Sequence, residues 1–159
     1  MNLWKYYDGN LKYPNILDHL HEKEIAKTNP KWAYEYTSEH GKDKELEPII
    51  AKSAKYSYRY AGEILNGPFK LGEKAIAKST DYSFWYAKFV LEGPFKLGEP
   101  EIAKSAENTF LYAKLVIYKP FPLGEPEIAK NEYYSKEYTR DVLKKDFYLD
   151  GKLICKYES

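Results

Sequence analysis

The sequence predicts an all-α protein, an α-solenoid of stacked 26-residue helix-turn-helix repeats with irregular capping segments at both ends. Three observations support this fold class. The tripeptide Ile-Ala-Lys recurs at a nearly constant spacing, its copies carry helix start and stop signals, and the segment between them has the apolar periodicity of a helix. Such a unit cannot bury its apolar face alone, so neighbouring units are expected to stack.

The repeat sets the expected domain organisation. Successive copies of Ile-Ala-Lys lie 25 residues apart once and then 26 residues apart four times, counting a degenerate last copy at Ile154. The complete copies begin at Ile25, Ile50, Ile76, Ile102 and Ile128. We predict a single repeat domain over 1–159, with an N-terminal cap at 1–24, five repeats over 25–153 and a C-terminal tail at 154–159.

Each copy contains signals for a short helix, a cap and a longer helix. Pro100 and Pro126 suit the first turn of the short helix, where no N–H is needed. The Gly-Pro pairs that begin at Gly67 and Gly93 read as stop signals for the long helix. The residues expected to cap the long helices are Ser53, Ser79, Ser105 and Asn131.

Most columns of the aligned long helices are apolar and uniform. They cover an arc of roughly 200°, which is typical of a helix that touches neighbours on both sides. The most uniform column contains Tyr60, Tyr86, Tyr112 and Tyr138. We therefore interpret the repeated tyrosines as core, rather than as a ladder for stacking nucleic-acid bases.

The remaining arc varies between copies and is apolar only in the two middle ones. Exposed apolar residues with charges around them are typical of a partner interface. The candidate partner-binding residues are Trp85, Phe89, Leu111, Leu115 and Tyr118, with Lys88 and Lys114 from a neighbouring basic stripe. Two alternatives stay open for this surface, namely burial under the terminal segments and contact with a second copy of the chain.

Repeated lysines form the most regular charged feature of the sequence. Glu101 and Glu127 precede Lys104 and Lys130 by three residues, close enough to pair on a short helix. A catalytic residue is expected once per site and not once per repeat. This repetition therefore favours a structural series of salt bridges, although lysines facing a common groove would suit phosphates.

Both ends contain an Asp-Gly pair between strand-like residues, at Asp8 and at Asp150. This pattern is typical of a β-hairpin. The second pair also aligns with the turn of the repeat, so it reads equally as a repeat turn that has lost its proline. We expect both ends to act as caps.

The sequence shows no pattern of enzyme chemistry. We expect no catalytic residues, no metal site and no cofactor, because His19 and His21 lack ligand spacing and no phosphate-binding loop occurs. The net charge of +1 argues against a strongly basic nucleic-acid binder. No apolar run reaches the roughly 20 residues of a membrane helix, and Cys155 is the only cysteine, which is compatible with a reducing cytoplasm.

The unit Tyr-Ala-x-x-Val-Leu-x-Gly-Pro-Phe-x-Leu-Gly-Glu-Pro-x-Ile-Ala-Lys, best seen at 86–104 and 112–130, resembles a short tyrosine-rich helical repeat of bacteriophage proteins. The resemblance covers about residues 25–156. It implies a phage origin, hence the host cytoplasm, and no catalytic residues. Together these expectations favour a non-enzymatic module that binds and modulates or inhibits a host protein, for example one of defence. The alternatives are a nucleic-acid or nucleotide binder and a structural homo-oligomer.

Overall fold

The computed structural model describes residues 19–158, with side chains from residue 22 onward. Within this range the protein is mainly helical, and its strands form one two-stranded antiparallel hairpin. The chain divides into two compact units, with the boundary after Ile76. The N-terminal hairpin predicted around Asp8 lies outside the described residues.

The described part of the first unit, residues 19–76, contains five α-helices. The long helix of its repeat is an α-helix that continues into a π-helical turn, and a 3-10 turn precedes the last short helix. These elements are α1 (His19–Ala26), α2 (Pro30–His40), α3 (Glu47–Ile50), α4 (Ala54–Arg59), the π turn Tyr60–Leu65, the 3-10 turn Lys70–Gly72 and α5 (Glu73–Ile76).

The second unit repeats the alternation of long and short helices and ends in the hairpin. Its long helices α8 and α10 also continue into π turns. The elements are α6 (Thr80–Phe89), α7 (Glu99–Ile102), α8 (Ala106–Tyr112), the π turn Ala113–Ile117, the 3-10 turn Pro122–Gly124, α9 (Glu125–Ile128), α10 (Glu132–Tyr138), the π turn Thr139–Leu143, β1 (Phe147–Leu149) and β2 (Lys152–Cys155).

The predicted start signals are confirmed. Each of the four predicted caps accepts a hydrogen bond from the backbone N–H three residues further on. Pro100 and Pro126 lie in the first turn of α7 and α9. These contacts satisfy backbone donors that a helix start leaves without partners. Local residue chemistry therefore decides where the helices begin.

The predicted stop signals are displaced by one residue. In the four aligned copies the left-handed residue at the end of the long helix is not glycine but the residue before Gly67, Gly93 and their equivalents, whereas α2 ends at Gly41 with φ 86°. These residues are Asn66, Glu92, Tyr118 and Lys144, with φ between 49° and 53°. The cause is the widened last turn, in which the N–H groups of Gly67 and Gly93 bond back to Ala61 and Ala87 at 3.0 Å.

The tyrosine column is core, as predicted, since all four side chains have no exposed surface. Each ring meets the phenylalanine nine residues later, with centroids 4.9 to 5.7 Å apart. These phenylalanines, at the turn after each long helix, are Phe69, Phe95, Phe121 and Phe147. Tilted and edge-on aromatic contacts of this kind anchor the turn to the long helix.

Buried tyrosine hydroxyls tie neighbouring copies of the repeat together. Tyr112 donates to Glu99 Oε1 at 2.9 Å and accepts the N–H of Phe95 at 3.1 Å. Tyr138 makes the same two bonds with Glu125 and Phe121, at 3.0 and 2.7 Å. Burial raises the pKa of both tyrosines above its ordinary value, so the phenols stay protonated donors.

A glycine in each turn lies against a small side chain of a long helix. A Cβ atom on Gly124 would come closer than 3.0 Å to three side-chain atoms of Thr109. Gly98 has the same relation to Ser83. Thr109 is fully buried and donates to the carbonyl of Ile102. The glycine of the Leu-Gly-Glu part of the repeat is therefore required because the side chain of the long helix lies so close to it, and not because the backbone needs glycine's flexibility.

The C-terminal hairpin confirms the strand prediction and extends the fold beyond a purely helical one. Asp150 and Gly151 both have positive φ, 50° and 78°, as a tight two-residue hairpin turn requires. Strand β2 crosses the boundary predicted between the last repeat and the tail at 153/154. Phe147 begins β1 and also fills the phenylalanine position of the repeat, so the two interpretations of this segment are compatible.

We predict that Gly124→Ala lowers the free energy of unfolding by about 1–3 kcal/mol, because the new methyl group overlaps Thr109. Gly93→Ala is the matched control, since a methyl group at Gly93 would lie 3.7 Å from its nearest neighbouring atom. Urea unfolding followed by circular dichroism compares the two. Equal midpoints for both variants would contradict the close-approach explanation.

We predict that Tyr138→Phe costs about 1–3 kcal/mol of stability, because it leaves the buried N–H of Phe121 without its acceptor. Tyr133→Phe makes the same chemical change on a ring that is 64% exposed and is expected to be neutral. Thermal unfolding of both variants measures the difference. A loss of equal size in Tyr133→Phe would argue against a special role for the buried hydroxyl.

Candidate functional site

The predicted partner-binding residues all lie in the second unit, and four of the seven are exposed, namely Trp85, Phe89, Tyr118 and Lys114. We call Trp85, Phe89, Leu111, Leu115 and Tyr118 the apolar patch. Phe89 is 59% exposed, Tyr118 81% and Trp85 38%, whereas the two leucines are half-buried. The terminal residues that the structure describes therefore leave the three aromatic members exposed.

Two hydrogen bonds between neighbouring long helices position the residues of the apolar patch. Asn108 on α8 donates to Asp81 on α6 at 2.8 Å, so the two helices that carry the patch are adjacent. Lys114 reaches Asp141 on the next long segment at 2.7 Å. Both pairs are separated by 27 residues, one more than the repeat length. The apolar columns of α6 and α8 thus follow each other in the same order as the repeats.

The Trp85 ring contacts another aromatic ring of its own helix. It meets Tyr82 edge-on, with centroids 5.3 Å apart. Phe89 lies one turn further along α6, on the same face as Trp85. The patch therefore offers one partly anchored indole ring and one freely projecting phenyl ring.

Tyr118 occupies a different kind of position from the one predicted. The sequence placed it on the helix face, but it is the left-handed residue that ends the π turn, with φ 52°. A left-handed conformation costs a residue with a β-carbon about 1–2 kcal/mol. An aromatic ring held there and left in solvent gives the patch a projecting edge.

The two lysines of the predicted interface are not equivalent. Lys114 is already bound to Asp141, and its ammonium also lies 5.2 Å from the ring of Phe110. Lys88 forms no ion pair among the described residues, and its ammonium lies 5.1 Å from the Phe89 ring. Lys88 is therefore the cation that an acidic partner would meet first.

The repeated lysines form the predicted ion pair only where a glutamate stands three positions before them. Lys104 pairs with Glu101 at 2.6 Å, and Lys130 pairs with Glu127. Lys52 and Lys78 make no ion pair within the described residues, because Ile49 and Ala75 stand three positions before them. The lysine heads of the two pairs are about two-thirds exposed, so these pairs contribute little to stability.

The part of the chain that the structure describes contains no cluster of side chains suited to holding a metal ion. No group of three or more His, Cys, Asp or Glu side chains converges there. His40 lies 3.5 Å from Glu22, and the thiol of Cys155 is half-buried. The side chains of His19 and His21 lie outside the described set. Between residues 19 and 158, no helix is long and apolar enough to cross a membrane.

One surface feature was missed by the sequence reasoning. Leu97 and Leu123 repeat at the same position of the turn, yet they are 52% and 55% exposed. In these turns the phenylalanine two residues earlier takes the core position instead. The pattern Phe-x-Leu in the turn was the signal in the sequence that could have distinguished the buried phenylalanine from the exposed leucine.

Comparison of the chain with protein-family models, with characterised proteins and with solved structures finds no match. Function is therefore argued from the molecule's own surfaces.

We predict that the Lys114–Asp141 pair stabilises the fold above about pH 5 and loses this effect between about pH 5 and 2. Arg140 and Lys114 lower the pKa of Asp141 from 3.8 to about 2. A carboxyl whose pKa is lower in the folded state stabilises it above the unfolded pKa, and protonation removes that gain as the pH falls.

The test compares urea unfolding of the wild type and Asp141→Asn at pH 7 and at pH 2.5. The wild type is expected to be more stable by about 1 kcal/mol at pH 7, a value reduced for the solvation of Lys114, with a smaller difference at pH 2.5. Glu92→Gln is the matched carboxylate-to-amide control. A difference for Asp141→Asn that stays constant with pH would contradict the assignment.

Proposed function

We propose that the protein is a non-enzymatic protein-binding repeat module whose apolar patch grips a partner protein. The observation that carries the proposal is the exposure of the Phe89 and Tyr118 rings in the second unit, with Trp85 one turn from Phe89 on the same helix. Monomeric proteins seldom group large aromatic side chains in solvent without a partner. Trp and Tyr also dominate the binding energy of protein interfaces.

The proposed architecture is an α-solenoid in which successive long helices stack. Support comes from two contacts between neighbouring long helices of the second unit. Asn108 donates to Asp81, and Lys114 donates to Asp141, so each contact joins residues 27 apart. Stacking of this kind places equivalent residues of neighbouring helices side by side. The apolar residues of α6 and α8 would then form one continuous surface within the second unit.

The proposed partner is a host protein of a bacteriophage, and the proposed effect is inhibition or modulation, for example of a defence protein. This part rests on the resemblance of the repeat to phage repeat sequences. It places the chain in the cytoplasm of the host cell. Lys88, which forms no ion pair among the described residues, favours a partner with carboxylates at the edge of its contact surface.

The nucleic-acid alternative has less support. The four uniform tyrosines are fully buried, so their rings are unavailable to bases. Lys104 and Lys130 already carry acidic partners. A filter-binding assay at low salt tests what remains of this alternative, and salt-sensitive retention of RNA or DNA would favour it over the protein-binding proposal.

The homo-oligomer alternative uses the same apolar patch. A measurement of the molar mass in solution distinguishes it from binding of a host partner. Static light scattering at increasing concentration measures the molar mass of the wild type. A monomer would exclude self-association through the patch over the range tested, and a dimer that Trp85→Ala dissociates would replace the host-partner proposal.

We predict that Trp85→Ala combined with Leu111→Ala removes partner capture. Tagged wild-type chain and the double variant are used for affinity purification from host cells, with quantitative mass spectrometry. Loss of one anchoring side chain costs about 2 kcal/mol, which is roughly 30-fold in affinity. The protein enriched by the wild type is therefore expected to be absent from the double-variant sample.

Leu123→Ala is the matched control, because it removes an exposed leucine outside the patch. It is expected to capture the partner as the wild type does. Circular dichroism establishes that both variants are folded. Undiminished capture by the folded double variant would overturn the proposal.

A further inference from the structure

A cavity of about 690 Å³ opens between the last long helix and the C-terminal strand, well away in sequence from the apolar patch. Its walls come from α10 and the π turn after it on one side, and from Ile154, Cys155, Lys156 and Tyr157 on the other. This volume lies in the range of small-molecule sites, about 300–1,000 Å³. The cavity is therefore large enough for a metabolite-sized ligand.

Thr139 in the cavity wall breaks the rule of its repeat column. The equivalent residues in the other long helices are Ala61, Ala87 and Ala113, which need no hydrogen-bond partner. The Thr139 side chain is almost entirely buried, with 2% exposure, and its hydroxyl oxygen forms no hydrogen bond within the described residues. An unsatisfied buried hydroxyl costs about 1–3 kcal/mol, so alanine would suit a purely structural role better.

The charged side chains around Thr139 favour an anionic ligand. Four lining residues are cationic and two are anionic, namely Lys130, Lys136, Arg140 and Lys156 against Glu132 and Glu158. Lys156 forms no ion pair among the described residues. Its matched position in the preceding copy, Lys130, is bound to Glu127.

The cationic side chains that line the cavity keep free N–H donors in addition to those in their ion pairs. Lys136 pairs with Glu132 at 2.6 Å, and Arg140 contacts Asp141 at 2.7 Å and also Glu137. An ammonium group has three N–H donors and a guanidinium has five, so both heads keep donors beyond these contacts. The pairs also hold the cations in place at the mouth of the cavity.

We propose that this cavity binds a small oxyanion, a metabolite that carries a phosphate or carboxylate group, with the Thr139 hydroxyl and the Lys156 ammonium as donors to it. Charge-assisted hydrogen bonds to such groups are the stronger class of hydrogen bond. The ring of Tyr157 and the side chain of Ile154 would contact the rest of the ligand. This site is independent of the protein-binding surface.

Cys155 supplies the measurement, because it lines the cavity and is the only cysteine of the chain. The rate of its reaction with an uncharged maleimide is followed in inorganic phosphate, in succinate and in chloride at equal ionic strength. Bound ligand is expected to slow the reaction in proportion to occupancy, about tenfold at ten times Kd. The phosphate and succinate arms distinguish the two oxyanion sources.

Three variants test the donors. Thr139→Ala and Lys156→Gln are expected to weaken the protection by about tenfold in ligand concentration, the effect of one good hydrogen bond to a charged group. Lys104→Gln removes a lysine from the same repeat column outside the cavity and is expected to keep the protection. Thr139→Ala is also expected to melt at the same or a higher temperature than the wild type, because it removes the unsatisfied hydroxyl.

Equal reaction rates in all three salts would overturn the proposal, and so would equal protection in Thr139→Ala and the wild type. A lower melting temperature of Thr139→Ala with no protection in the wild type would assign the hydroxyl to bound water instead.

Discussion

The fold depends on a phenol hydroxyl that has been taken out of water. In the copy centred on Tyr112 this group bonds both a carboxylate and a backbone N–H from the preceding copy. A buried hydroxyl without partners costs free energy, so the position of the long helix that reaches Glu99 and Phe95 is favoured. The edge-on phenylalanine and the glycine pressed against Thr109 follow from that position. The repeat is thus a set of contacts between copies rather than a self-contained unit.

Local chemistry made part of this fold predictable from the sequence. The serine and asparagine caps act within three residues, and their signals are read directly from residue type. The helix ends were less predictable, because the π turns are not encoded by apolar periodicity. Glu92 and Lys144 have little preference for left-handed backbone, so packing of the copies and not residue type places them there. The tyrosine–glutamate bonds span 13 residues and two elements, and no spacing rule identifies them.

The candidate site likewise has features that the sequence predicts and features that depend on how the helices pack. Exposure of Trp85 and Phe89 followed from columns that vary between copies, because a residue that fails to repeat is free of the scaffold. The pairing of Lys114 with Asp141 could not be foreseen, since it joins residues 27 apart whose register depends on how the helices stack. Exposed Leu97 shows that repetition alone does not imply burial, since its position recurs between copies and still lies in solvent. The single threonine in an alanine column was visible in the sequence, but its meaning required the cavity beside it.

The hydroxyl bridge between copies also has an evolutionary consequence. The junctions around Tyr112 and Tyr138 join the same three groups, a phenol, a glutamate and the N–H of a phenylalanine. A recombination event that inserts or deletes one whole 26-residue cassette would therefore rebuild an identical junction at the splice. Chain length and the number of surface columns between the two ends can change in single genetic steps, without a new core having to be selected.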